Sequence, residues 1–273
     1  MTEPTTRHVD IQYEDLVLDV LEEGNDALDR TGVGTRSLFG RTLRYDLSNG
    51  FPRMTSRYIP MKPAKAELLW MLSGDTSVKT LQGQGVHIWD SWADENGELG
   101  PVYGAQMRRW TAVDGTIHDQ VADLVEGIKK NPHSRRHVVS MWNVGELGQM
   151  ALAPCHVLYQ AHVANNKLSV QVYQRSADLM LGVPSDIISY ALLTHMLAQQ
   201  TGYEPDELIW VGGDCHIYQN HLEQARAIAD AKVYPFPDLR LEKAPNIFSY
   251  SMDMIDASSG YESGPRISMP VAV

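Results

Sequence analysis

Apolar positions along the chain recur at two spacings, which predict a mixture of helices and strands. Three- to four-residue spacing predicts helices over residues 10–28, 63–73, 119–130, 186–201 and 217–230. Strand-like runs occupy residues 35–46, 137–142, 156–164, 168–175 and 207–212. The Asn165-Asn166 pair predicts a hairpin turn between two of these strands. Because the helices and strands do not alternate strictly, the pattern favours an α+β fold over a doubly wound sheet.

Length and composition are consistent with one globular unit. The chain has 273 residues, of which 43% are hydrophobic and 21% charged, and a chain of this size can bury a substantial core without disulfides. We find no repeat, low-complexity tract or Pro/Gly/Ser-rich linker. We therefore expect a single domain over residues 1–273.

Net charge and cysteine content limit the classes of partner and the cellular compartment that we expect. The net charge of −11 argues against a nucleic-acid polymer as the main partner, although a local arginine cluster can still hold one phosphate. The two cysteines, Cys155 and Cys215, form no disulfide framework. The N-terminus has no apolar signal region and no apolar run approaches membrane-spanning length, so we expect a cytoplasmic protein.

Cys155 is the candidate nucleophile. It lies in Ala153-Pro154-Cys155-His156 at the entry to a predicted strand, where Pro154 rigidifies the backbone. His156 and nearby arginines are expected to lower the pKa of the thiol. The alternative is an inert buried cysteine, which is how we interpret Cys215.

Several arginines are candidates for binding a phosphate. Arg30 lies in the loop DRTGVG, Arg135 and Arg136 are adjacent, and Arg175 is followed by Ser176 at the end of a strand. Guanidinium groups match phosphate oxygens, and a serine hydroxyl adds a further donor. Each arginine taken singly is better explained as a solvated surface residue, but the Arg175-Ser176 pair at the end of an apolar strand is harder to explain in that way.

Four other polar residues have both a structural and a functional interpretation. Glu67 lies within an apolar helix, where it either points outward or is tuned for proton transfer. Asp186 begins a long apolar helix and is a natural N-cap. His216 and Tyr218, two residues apart, either face one ligand or cap the following helix.

Ten segments together resemble the thymidylate synthase family. They are DRTGVGT, GFPRMTS, ELLWMLSGDT, VHIWDSWADENGELGPVYG, SRRHVVSMWN, LAPCH, QRSADLMLGVP, SYALLTHMLAQQTG, GGDCHIYQNH and the C-terminal PVAV. The resemblance runs from about Tyr13 to Val273. It implies a mixed β-sheet covered by helices, with one face of the sheet forming the interface of a homodimer.

The resemblance also implies a role for each candidate. Cys155 would add to C6 of a pyrimidine nucleoside monophosphate, with Glu67, Tyr103, His156 and Asp186 in the catalytic group. Arg30, Arg175 and Ser176 would bind the 5′-phosphate, joined by Arg135 and Arg136 of the other subunit. His216 and Tyr218 would bind the sugar, and Asp178 would line both the base and the cosubstrate. Methylenetetrahydrofolate would be the cosubstrate, held by Trp89, Trp92, Asp178, Leu181, Gly182 and Ala272, with the C-terminal residues closing over it.

Asp186 departs from the family pattern, which has Asn at this position. The Asn amide donates to O4 of uracil and accepts from its N3–H, whereas cytosine presents an N4 donor and a bare N3 acceptor. A protonated Asp186, or an ionised one facing N3-protonated cytosine, matches cytosine instead. Asp is typical of the hydroxymethylase branch, so we expect 5-hydroxymethylation of CMP or dCMP.

Other functions stay open from the sequence. Ser185 and Ser91 replace a family Phe and Glu and suggest a remodelled folate pocket, but the retained Trp89 leaves methyl transfer possible. The alternatives are a thymidylate synthase acting on dUMP, a cytidylate C5-methyltransferase, or a non-catalytic regulator that binds nucleotide or RNA.

Overall fold

A computed structural model describes residues 9–271 of the chain. The helices are α1 (Gln12–Glu23), α2 (Met61–Ser73), α3 (Val78–Gln82), α4 (Tyr103–Arg108), α5 (Gln120–Lys130), α6 (Gly182–Thr201) and α7 (Leu222–Ala229). The strands are β1 (Asn25–Ala27), β2 (Thr35–Asp46), β3 (Trp110–Thr111), β4 (Ile117–His118), β5 (Val138–Ser140), β6 (His156–Ala164), β7 (Lys167–Asp178), β8 (Glu204–Tyr218), β9 (Arg240–Leu241) and β10 (Ile255–Asp256). Helices and strands are mixed as the α+β prediction requires.

Six strands form the central mixed sheet, in the order β1-β2-β8-β7-β6-β5. The β7–β8 pair is parallel and every other neighbouring pair is antiparallel. The hairpin between β6 and β7 turns at Asn165 and Asn166, both with positive φ, as the Asn-Asn pair predicts. Because β7 and β8 run the same way, the residues at their C-terminal ends lie side by side.

Helix α6 is the central helix of the core. It packs against α2, β7 and β8. Its residues are apolar around most of the circumference, so it is buried on nearly all sides, with Leu192, Leu193 and Met196 fully enclosed. Within the described part of the chain, no helix has both the length and the apolar character needed to cross a membrane.

The structure corrects three predicted boundaries. Helix α1 ends at Glu23, because residues 25–27 pair with β2 at the edge of the sheet. Helix α6 begins at Gly182 rather than at residue 186, since Pro184 is tolerated in a first helical turn, where its missing N–H is not needed. Asp186 is therefore inside the helix and is not its N-cap.

The third correction concerns the segment predicted as a short strand followed by a helix. Strand β8 continues to Tyr218, because β2 on one side and β7 on the other supply hydrogen-bond partners along its whole length. This pairing overrides the low strand propensity of Gly212 and Gly213. His216 and Tyr218 consequently lie on a strand. Tyr218 also stands at the N-cap position of the 3-10 helix Gln219–His221, but its side chain makes no capping hydrogen bond.

The buried Glu14 side chain makes the stability of the fold depend on pH. Its side chain is buried on α1, and Oε1 has no hydrogen-bond partner among residues 9–271. Burial raises the pKa of Glu14 to about 7. A carboxyl group whose pKa is higher in the folded state than in the unfolded state stabilises the fold at low pH, and this contribution is lost as the pH rises towards 7.

Glu14→Gln should therefore raise the free energy of unfolding at pH 8 by about 2 kcal/mol and change it little at pH 4. Urea titrations at the two pH values measure this difference. Asp15→Asn, at the exposed neighbouring position, is the control and should have little effect at either pH. An equal effect of Glu14→Gln at both pH values would show that ionisation of Glu14 is not the cause.

Candidate active site

Cys155 is fixed through its backbone on both sides. It precedes β6, and its N–H donates to the hydroxyl of Tyr103 at 2.7 Å. Its carbonyl accepts from the N–H of Arg175 at 2.8 Å. The side chain is half-buried. The proline turn, Tyr103 and β7 thus hold the thiol at a defined position at the entry to the strand.

Arg175 is the cationic residue whose charge lowers the pKa of the Cys155 thiol. Its Nε donates to the carbonyl of Pro154 at 2.9 Å and its Nη2 to that of Ala153 at 2.9 Å. Burial raises the pKa of Cys155, and Arg175 lowers it only in part. The prediction of a lowered thiol pKa is therefore wrong, and the charged group that Nε2 of His156 meets is Asp186, at 3.1 Å.

Asp186 lies at the centre of a buried polar group. Nε2 of Gln174 donates to its Oδ2 at 2.8 Å, and Nε2 of His156 lies 3.1 Å from its Oδ1. Burial lowers the pKa of His156, but the carboxylates of Asp186 and Glu67 more than offset this and raise it above its ordinary value. Asp186 is 8% exposed, so its side chain is largely shielded from bulk solvent.

Glu67 lies beside a group of aromatic rings. Nε1 of Trp89 donates to its Oε1 at 2.7 Å. Burial and the charge of Asp186 raise the pKa of Glu67 to about 7. Trp89 meets Trp92 and Tyr103 edge to face, with ring centroids 5.7 and 5.9 Å apart. A carboxyl group that titrates near neutrality is suited to moving a proton in either direction.

The parallel strands bring Asp178 and His216 to adjacent positions. They are register partners at the C-terminal ends of β7 and β8. Oδ1 of Asp178 accepts from the backbone N–H groups of Met180 and Leu181 at 2.9 and 3.3 Å. The rings of His216 and Tyr218 lie edge to face at 5.2 Å. These groups form a polar end of the sheet next to the turn that leads into α6.

The other predicted phosphate ligands are distributed over three elements. Ser176 follows Arg175 on β7 and is half-buried, and Arg30 is exposed in the loop before β2. Arg135 and Arg136 are exposed before the edge strand β5. No contact found among residues 9–271 joins either of these two guanidinium groups to Arg175 or Cys155. The chain by itself therefore does not bring the arginine pair to the thiol.

Comparison with known proteins decides the family. The family model described as thymidylate synthase matches residues 11–273. A thymidylate synthase from Corynebacterium aurimucosum is 52% identical over 265 residues, which is 97% of this chain and 98% of the relative. The chain belongs to the thymidylate synthase family.

Family membership establishes a one-carbon transferase that binds a nucleoside monophosphate, from a family that is typically dimeric and uses methylenetetrahydrofolate as cosubstrate. The residues present fit such a cosubstrate. The half-buried Trp92, edge to face with the buried Trp89, offers aromatic surface, and a Cβ on Gly182 would lie at ordinary contact distance, 3.5 Å, from Oδ2 of Asp186. Leu181 and Asp178 border Gly182, whereas Ala272 lies outside the described residues.

Sequence reasoning missed Gln174 and Trp210. Nε1 of Trp210 donates to Oε1 of Gln174 at 2.8 Å, and Gln174 in turn contacts Asp186. A signal was present, because Gln174 continues the alternation of inward positions set by Val170 and Val172 on β7. A polar side chain in such a series needs a buried partner.

Proposed function

We propose that the chain transfers a hydroxymethyl group to C5 of the cytosine of CMP or dCMP. The observation that supports this proposal is the buried Asp186 carboxyl group, which contacts Gln174 and His156 and to which we assign the base-reading position. An Asn amide would offer one donor and one acceptor at this position, whereas a carboxylate offers acceptors only.

The donor and acceptor pattern of the two bases supports cytosine. The N4 amine of cytosine donates to a carboxylate oxygen, and N3 completes a second bond when it carries a proton. The O4 of uracil would instead face a carboxylate oxygen, which places two acceptors together. In a buried site an unpaired polar group costs about 1–3 kcal/mol, and facing acceptors cost more. Asp186 therefore favours cytidylate by excluding uracil as well as by pairing with cytosine.

The neighbouring groups support covalent activation of the base. Addition of the Cys155 thiolate to C6 makes C5 nucleophilic. Glu67, with its pKa near 7, is placed to move protons during the reaction. Methylenetetrahydrofolate, when bound, supplies the one-carbon unit at the oxidation level of formaldehyde. Ser185 and Ser91, in place of the family Phe and Glu, support a pocket that admits the water needed for a hydroxymethyl product.

We further propose the nucleotide contacts and the assembly. Arg30, Arg175 and Ser176 bind the 5′-phosphate, and His216 with Tyr218 binds the sugar. Arg135 and Arg136 reach the site of a second copy of the chain, which is consistent with their exposed position before the edge strand β5. Residues 1–273 act as one catalytic domain.

Methylation of dUMP is the second candidate function. The comparisons favour it over cytidylate hydroxymethylation, because the Corynebacterium aurimucosum relative, 52% identical, is a thymidylate synthase. Trp89, buried against Tyr103 and bonded to Glu67, is also consistent with a site that shields the reacting carbon from water. The two candidates share Cys155 chemistry and differ in the base and the product.

Product analysis separates these functions. The protein is incubated with methylenetetrahydrofolate and CMP, dCMP or dUMP in separate reactions, and the nucleotide product is identified by mass spectrometry. We expect 5-hydroxymethylcytidylate together with tetrahydrofolate. A methylated cytidylate formed together with dihydrofolate would support cytosine as the base but show that the enzyme transfers a methyl group rather than a hydroxymethyl group. Thymidylate formed with no cytidylate product would establish the second candidate.

A further inference from the structure

We propose that His221 is a positioning residue that anchors the C-terminal segment, residues 266–270, beside the turn 178–182 that leads into α6, and so strengthens the binding of methylenetetrahydrofolate. The inference rests on the proposed function for the location of the cosubstrate, but not for the choice of base. His221 is the last residue of the 3-10 helix that follows β8, and it is fully buried.

One hydrogen bond joins the C-terminal segment to this buried histidine. Nε2 of His221 lies 2.8 Å from the carbonyl oxygen of Pro270. Because a carbonyl group only accepts hydrogen bonds, Nε2 carries the hydrogen and is the donor. Within the part of the chain that the structure describes, this is the hydrogen bond found for the C-terminal segment. Ile267 and Met269 pack against the core but are only partly buried, so they add a smaller hydrophobic contribution than core residues do.

The residues just before the C-terminal segment are tied to the loop that precedes α2. The N–H of Gly264 donates to the carbonyl of Thr55 at 2.9 Å, and the N–H of Tyr58 donates to the carbonyl of Pro265 at 3.1 Å. The C-terminal segment therefore begins at this loop and ends at His221. Loss of the contact with His221 would leave it fixed at its first residues only.

Both of these attachment points border the turn 178–182. On one side Arg57, in the loop that precedes α2, donates to the carbonyl of Met180. On the other side burial raises the pKa of Asp178, and the nearby His221 acts in the opposite direction, so the two side chains are close. The C-terminal segment therefore lies beside the turn that is proposed to contribute contacts to the cosubstrate.

Ring contacts hold the side chain of His221 in place. Its ring meets that of Tyr218 edge to face, with centroids 5.9 Å apart. Tyr218 meets His216 in the same way, at 5.2 Å. The donor to Pro270 thus lies next to the two proposed sugar contacts without being one of them. We therefore expect substitution of His221 to release the C-terminal segment and to leave the nucleotide contacts in place.

Trypsin reports whether the C-terminal segment is anchored. Arg266 is exposed at the start of the segment and is followed by Ile267, so trypsin can cut there when the segment detaches. The full chain is treated with trypsin, and mass spectrometry gives the rate at which the peptide 267–273 is released. Cleavage after Lys130, whose side chain is 78% exposed, is the internal reference, because general destabilisation would accelerate cleavage at both sites.

His221→Leu removes the donor and keeps a side chain of comparable size. We expect it to increase the release of peptide 267–273, relative to the reference, by about fivefold or more. His221→Gln places an amide donor at a similar reach and should restore the ratio to within about twofold. His195→Leu is the matched control, because Nε2 of His195 is also buried but has no hydrogen-bond partner within residues 9–271. It should leave the ratio unchanged.

The same variants test the effect on the cosubstrate. In His221→Leu, KM for methylenetetrahydrofolate should rise about fivefold or more, while kcat and the dissociation constant of the nucleotide change by less than about threefold. His221→Gln should restore KM. The assay uses whichever of CMP, dCMP and dUMP the protein turns over. If His221→Leu does not fold, His221→Asn takes its place, since its shorter amide does not reach Pro270, and it should have the same effects.

An unchanged release ratio in the donor-free variant would overturn the anchoring role. Faster release with an unchanged KM for methylenetetrahydrofolate would overturn the link to the cosubstrate. Failure of His221→Gln to restore either quantity would also overturn the inference, because the ring rather than the donor would then be required. Thymidylate formation without any cytidylate product would overturn the proposed function and leave these measurements on His221 valid.

Discussion

Cys155→Ala is expected to lower kcat by a factor of about 10⁴ or more, because the variant has no nucleophile to activate the base. The backbone contacts of Cys155 with Tyr103 and Arg175 do not involve the thiol, so the substitution leaves the surrounding site in place. Nucleotide affinity should therefore change by less than about threefold, which isothermal titration with the nucleotide measures.

Cys215→Ala is the matched control for this experiment. Cys215 is fully buried on β8 and contacts the carbonyl of Gly213 rather than the site. Its replacement should lower stability slightly and leave kcat within a few-fold of the starting value. Substantial turnover by Cys155→Ala would rule out covalent catalysis at this residue, and loss of nucleotide binding would show that the thiol is needed for more than chemistry.

Asp186→Asn should transfer the preference of the enzyme from cytidylate to dUMP. The amide can donate to O4 of uracil and accept from its N3–H, while it meets N4 and N3 of cytosine with the wrong pattern. We expect the ratio of kcat/KM for cytidylate to that for dUMP to fall at least about 10²-fold. Initial rates with each nucleotide at saturating methylenetetrahydrofolate give this ratio.

The control substitution is Asp206→Asn. Asp206 lies on β8, where it contacts Ser169 and Lys167. It should leave the ratio unchanged. An unaltered base preference in Asp186→Asn would mean that another residue reads the base, and the proposed function would then lose its main support.

Much of the fold is predictable from local pattern. Strand β2 begins and ends at the predicted residues 35 and 46, and the Asn165-Asn166 turn lies at the predicted place, because alternation and turn chemistry are local signals. The continuation of β8 to Tyr218 is not local. It depends on two partner strands that are distant in sequence, which no pattern within the segment reveals.

The candidate site was predictable residue by residue, but its connections were not. Cys155, Glu67 and Asp186 could be singled out by type and context. Their pairwise contacts depend on how α2, β6 and α6 pack. In this packing the His156 side chain contacts Asp186 rather than the Cys155 thiol. The contact of Trp210 with Gln174 lies one step further from Asp186 and depends on the parallel pairing of β7 with β8.

The central claim is that the base is cytosine, and direct competition tests it most simply. Equimolar dCMP, CMP and dUMP are incubated together with limiting enzyme and excess methylenetetrahydrofolate, and early products are quantified by mass spectrometry. The account predicts that a C5-hydroxymethylated cytidylate accumulates first, while dUMP is left largely unconsumed. Faster conversion of dUMP than of both cytidylates would contradict it.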